Sequence, residues 1–179
     1  MSIFDAQGFV DDCLAAVATD DPIAGVSRVM EKAISDPAAL LAAVDKGGDG
    51  VVSLCMSETL TALQVSTEPQ IKSPIHNHLT WVVIGMFEGE EKNYFYRREG
   101  DGIVLAEERT LRAGDVYVMD ANAIHAIVNP LPVRNGALHV YGGSLMNRPG
   151  RSFWDPDTGA EQAYDFEKVI AFSRKVRAG

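Results

Sequence analysis

The sequence predicts a mainly β domain, a sandwich or small barrel, with helices before and after it. Its 179 residues, 46% hydrophobic and 23% charged, suit one globular core without a covalent staple. Apolar residues in the first 46 positions recur at helical steps. From Val51 to about Leu145 the chain instead shows short β-rich stretches split by turn residues. Strands without intervening helices argue for a closed or double-sheet architecture and against an α/β sheet.

The helical region is marked by Asp21-Pro22 and Asp36-Pro37, each an N-cap acceptor before a proline suited to the first turn. After the first, Ile23, Val26, Val29, Met30, Ala33 and Ile34 form a stripe; Leu40, Leu41 and Val44 do so after the second. Cys13, beside Leu14 and Val17, reads as packing in an earlier helix. Lys46-Gly47-Gly48-Asp49-Gly50 ends this region.

Strands are expected at 51–56, 59–65, 80–87, 92–98, 103–111, 115–119, 124–128 and 137–144. Turn signals fall at Glu88-Gly89, Gly100-Asp101-Gly102, Ala113-Gly114-Asp115 and Asn135-Gly136. The charged run Glu88–Lys92 reads as a solvated hairpin tip, and Cys55 as buried strand structure. Beyond the strands, Asp165 can cap a last helix with Phe166, Val169, Ile170 and Val176 on its apolar side. Lys168, Arg174, Lys175 and Arg177 complement its C-terminal end. One domain spans 1–179: a helical layer at 1–46, a barrel at 51–145, and a loop and helix at 146–179.

With 25 acidic and 16 basic side chains, the formal net charge is −9, which disfavours binding to nucleic acid or anionic membranes. No apolar run approaches the ~18 residues of a membrane span, and Met1–Asp5 lacks a basic leader. A cytoplasmic protein, monomeric or homo-oligomeric, is expected. Two cysteines supply neither a disulfide framework nor a cysteine zinc site.

The four histidines, His76, His78, His125 and His139, all avoid the first 75 and the last 40 residues. On an extended strand His76 and His78 share a face, so both imidazoles can converge on one ion. The segment Gly114-x5-Asp120-x-Asn122-x2-His125-x3-Asn129 resembles the second cupin motif, with Asp and Asn where that motif has Pro and Gly. His76, His78 and Gly89 match the first motif, whose glutamate is replaced by Val82. The resemblance covers residues 74–129 and implies a cupin, a jelly-roll double-stranded β-helix, with a metal at His76, His78 and His125. Three neutral ligands leave a divalent ion its full charge and open positions, which suits an anionic substrate.

A three-histidine cupin is similar to the thiol dioxygenases, the cysteine and 3-mercaptopropionate dioxygenase group. Ala137-Leu138-His139-Val140-Tyr141 resembles their Ser-x-His-x-Tyr strand, with alanine for serine, and implies a relay role for His139 and Tyr141. Arg151-Ser152-Phe153-Trp154 resembles the segment whose arginine holds a substrate carboxylate; Arg148 is its rival. Val82 and Trp81 are expected to shape the pocket, and no cysteine stands where a Cys–Tyr crosslink would form. The resemblance implies Fe(II), a small thiol carboxylate and O2, with a sulfinic acid as product. Zinc or nickel are alternative metals. Hydrolase or lyase chemistry, and ligand binding without turnover, remain alternative functions.

Overall fold

The computed structural model describes residues 4–43 and 50–178, with side chains through Ser173. Val44 and Lys46–Asp49, and the side chains of Arg174, Lys175, Val176 and Arg177, lie outside the described residues. Three helices come first: α1 (Ala6–Val17), α2 (Pro22–Ile34) and α3 (Pro37–Ala43). Their caps follow the predicted chemistry. Asp21 Oδ1 accepts from Ala24 N at 3.1 Å and Asp36 Oδ1 from Ala39 N at 3.0 Å. Asp5 does the same for Gly8 at the start of α1, at 3.1 Å.

The strands are β1 (Val51–Met56), β2 (Leu60–Thr67), β3 (Ile75–Asn77), β4 (Val82–Glu88), β5 (Glu90–Glu99) and β6 (Gly102–Arg112). After these come β7 (Val116–Met119), β8 (Ile124–Val128), β9 (Asn135–Gly142), β10 (Ser152–Trp154) and β11 (Glu161–Ala163). One sheet has the order β1-β2-β9-β4-β7 and the other β11-β10-β3-β8-β5-β6. Their pairings are antiparallel. From β2 to β9 the chain changes sheet at every connection except the β5–β6 hairpin. This is the jelly-roll, double-stranded β-helix that the sequence predicts. The final helix, α4 (Phe166–Ala178), is capped by Asp165 through Lys168 N at 3.0 Å.

The three central strands of the first sheet, β2, β9 and β4, are buried on both faces. Val82, Ile84, Met86, Ala137 and Tyr141 point into the barrel, while Leu60, Ala62, Val83, Leu138 and Val140 pack under α1 and α2. That explains why β4 reads as a continuous apolar run rather than an alternation. Helix α2 can approach only because Gly85 has no side chain. A Cβ there would lie 2.6 Å from Met30 Cγ and 3.0 Å from Ile34 Cγ2.

Several expectations need correction. Asn135-Gly136 is not a turn but the first two residues of β9. Asn135 Nδ2 donates to Glu90 O and its Oδ1 accepts from Thr67 N, each at 2.9 Å, so the side chain ties three strands together. Gly136 leaves room for the Phe87 ring. Thr80 and Trp81 belong to the β3–β4 loop rather than to a strand. Residues 146–179 are not only loop and helix, because β10 pairs with β3. At Asp120 and Asn122, where the motif has proline and glycine, an Asx turn does their work, in keeping with the turn-compatible residues of the sequence: Asn122 N donates to Asp120 Oδ1 at 2.7 Å.

The run Glu88–Lys92 is not a wholly solvated tip. Gly89, at φ +69°, makes the turn, but Glu91 points into the barrel and is 1% exposed. Burial pushes its carboxyl up to about 7, against a hydrogen bond from Asn93 that pulls it down. The unfolded chain ionises this group near 4.5. Folded Glu91 therefore holds its proton longer, and the fold loses stability as pH rises from that value through about 7.

Two outcomes follow from this packing. G85A should destabilise the protein by about 1–3 kcal/mol in urea unfolding, and by less in an M30A background, because the collision is with that side chain. E91Q, which cannot ionise, should gain on the wild type by about 3 kcal/mol between pH 4 and pH 8. Unfolding curves at the two pH values measure the difference.

Candidate metal centre

The three predicted ligands meet through strand register. β3 lies between β8 and β10, and its pairing sets His76 directly opposite His125. His78 follows the strand by one residue and returns to the face of His76. Ring centres are 4.8 Å apart for His76 and His78, 4.6 Å for His76 and His125, and 5.2 Å for His78 and His125. All three are buried, and their ligand atoms lie within 4.8 Å of one another.

Two of the imidazoles are oriented by their outer nitrogens. His76 Nδ1 lies 3.0 Å from Pro74 O, and His125 Nδ1 lies 3.1 Å from Asn93 Oδ1. Each acceptor is an oxygen, so each Nδ1 carries the proton and each Nε2 keeps its lone pair. His78 Nε2 and His125 Nε2 are 3.1 Å apart. Two nitrogens about 2.1 Å from one ion have that spacing when they subtend roughly a right angle. Burial holds all three rings neutral: His76 is lowered to about 4, and His78 and His125 well below the usual range. Neutral imidazoles with converging nitrogens fit a divalent transition-metal ion.

Among the described residues, no carboxylate joins this group. Val82 is fully buried in the barrel interior and pairs across β9 with Tyr141. Trp81 takes the other side of the sheet, where it packs with the helix-facing core and over Gly142. Cys13 and Cys55 also belong to that outer cluster, away from Tyr141.

His139 and Tyr141 share a face of β9, as period two requires. His139 Nδ1 is 3.0 Å from the Tyr141 hydroxyl, and the Tyr141 ring centre is 5.1 Å from that of His78. Desolvation lowers His139 to about 4 and raises Tyr141 well above its ordinary range, so both are neutral at physiological pH. His139 Nε2 is buried with no hydrogen-bond partner. Ala137 faces the same interior without offering a hydroxyl.

The two candidate arginines differ in position. Arg148 donates to Leu79 O at 3.0 Å and to Gly142 O at 2.8 Å, bracing a loop whose Leu79 has φ +53°. Arg151 is 6% exposed and lies beside the ligands, with Nη2 3.5 Å from His78 Nδ1. Its Nε donates to Asn77 O and its Nη1 to Leu145 O, each at 3.1 Å. The guanidinium lies 3.6 Å from the centre of the Tyr164 ring. Among the described residues no carboxylate pairs with it. Tyr164, Asn93 and Glu91 were not anticipated. Tyr164 lies in a stretch with no pattern, whereas Asn93 and Glu91 could have been found by counting in twos from Phe95.

The sequence matches no family model, and no curated protein matches it either. Solved structures similar to the chain include an RmlC-like cupin with a double-stranded β-helix from Methanocaldococcus jannaschii. It is 14% identical with TM-score 0.46, over 57% of this chain and 89% of that one. A cupin superfamily protein from Desulfitobacterium hafniense is 19% identical with TM-score 0.45, over 59% and 88%. The W96Y oxalate decarboxylase of Bacillus subtilis is 18% identical with TM-score 0.43, over 56% of this chain and 27% of its own. Such values say nothing of chemistry. The jelly-roll assignment rests on the strand order, and the metal reading on the three converging imidazoles.

Proposed function

We propose that the chain is a mononuclear non-haem iron thiol dioxygenase that converts a small thiol carboxylate, cysteine or 3-mercaptopropionate, to a sulfinic acid. One observation carries the reading. Arg151, a buried guanidinium with no acidic partner among the described residues, stands 3.5 Å from one of three neutral histidines. A buried cation without a counter-ion is costly, and a divalent ion at the histidines adds two further positive charges. A thiolate and a carboxylate would together neutralise most of that charge.

A ferrous ion held by His76, His78 and His125 would supply the binding place for sulfur and dioxygen and the electrons that activate the latter. The other steps belong to the protein. Arg151 would hold the carboxylate; its backbone contacts and the Tyr164 ring keep the fork in one orientation, which limits the length of thiol accepted. Tyr141 stays protonated and can donate to oxygen or move a proton, while His139 Nδ1 fixes its hydroxyl. Val82 keeps the space of the missing glutamate apolar.

An oxygen electrode with Fe(II)-loaded protein tests the reading. Oxygen uptake and sulfinic acid formation are expected with cysteine or 3-mercaptopropionate, and less with cysteamine, which lacks the carboxylate. R151K, which keeps the charge and loses the fork, should raise KM for the carboxylate thiol about 10- to 100-fold. Y141F should lower kcat about 100-fold with metal content unchanged. Zinc in protein purified without added metal, with no thiol-dependent oxygen uptake, would sink the proposal in favour of hydrolase or lyase chemistry. Thiol binding without turnover in the iron-loaded protein would favour a sensing or storage role.

A further inference from the structure

Asn93 and Glu91 belong to none of the motifs above, yet both are buried, and Asn93 touches His125. They stand two apart on β5 and so share the inward face, with Asn93 0% and Glu91 1% exposed. Asn93 Nδ2 donates to Glu91 Oε1 at 2.9 Å, and Asn93 Oδ1 lies 3.1 Å from His125 Nδ1. An amide can face either way round. Here Glu91 Oε1 accepts, so the NH2 faces Glu91, which leaves the oxygen to face His125. An oxygen there accepts the Nδ1 proton, and Nε2 is left with its lone pair toward His78.

We propose that Asn93, oriented by Glu91, is a positioning residue that keeps His125 in the Nδ1–H tautomer and so makes its Nε2 a ready metal ligand. This rests on the three-histidine metal reading. The carboxyl absent from position 82 thus has a counterpart two links behind a ligand. From there it can raise the basicity of the imidazole without occupying a coordination position.

Long-range ¹H–¹⁵N spectra of the metal-free protein report the tautomer directly. His125 is expected as Nδ1–H in the wild type and in N93D, which keeps an oxygen acceptor, and as a mixture or Nε2–H in N93L. Titration with Co2+ should show N93L weakened about 10- to 100-fold and N93D within about threefold of wild type. E91M leaves Asn93 in place but frees its amide to turn. It should shift His125 the same way, and it stands in if N93L does not fold. A thermal melt of each metal-free variant separates lost fold from lost positioning.

His125 as Nε2–H in the wild type would overturn the proposal. So would a wild-type tautomer and Co2+ affinity in N93L, or in E91M where it stands in. A wild-type protein that shows the expected tautomer but binds no Co2+ would overturn the three-histidine reading itself, and with it the purpose assigned to Asn93.

Discussion

The register of one three-residue strand governs the whole site. β3 supplies His76 and leads into His78, and its pairing with β8 sets His76 against His125. A slip by one residue would turn His76, and with it His78, away from the interior. A strand this short has few ladder bonds of its own, and its neighbours add others. Asn77 O accepts from Arg151, Leu79 O from Arg148, and Asn77 Oδ1 from Ser152 N. The carbonyls on either side of His78 are thus each held by a guanidinium.

The electrostatics follow from the same convergence. Burial keeps the three imidazoles uncharged, and the neighbouring His76 adds to the effect at His78 and His125. The guanidinium that reaches a histidine ring is that of Arg151, and it too is out of water. The molecule as a whole carries −9, so its far field repels the anions that this small region favours. Recognition of an anion must then be a short-range affair, decided inside the barrel.

Much of this was legible in the chain. The i, i+2 histidines, the caps at Asp21, Asp36 and Asp165, and all eight expected strands within two residues at each end follow from local rules, while His125 was marked by its resemblance to a cupin motif. Other features depended on partners that no local rule shows. Asn135-Gly136 has the composition of a turn, but Phe87 needs the missing Cβ and two strands need the amide. Glu91 looks solvated because its neighbours in sequence are charged; register, not composition, sends it inward. β10 is three residues long and exists as a strand because β3 and β11 flank it. Arg151 stood ahead of Arg148 in sequence only by resemblance, and it is the path of the loop between them that separates a brace from a group beside the histidines.

That β10 lies against β3 has a consequence for biosynthesis. Phe153 pairs with His76, so the strand that bears His76 and leads into His78 keeps this edge open until the chain has been made some 77 residues further on. Contacts of such long sequence separation form late in folding. On the ribosome, the pocket would remain unfinished while most of the barrel is already made. An ion taken up at the three histidines would then meet a nearly complete molecule rather than a nascent chain.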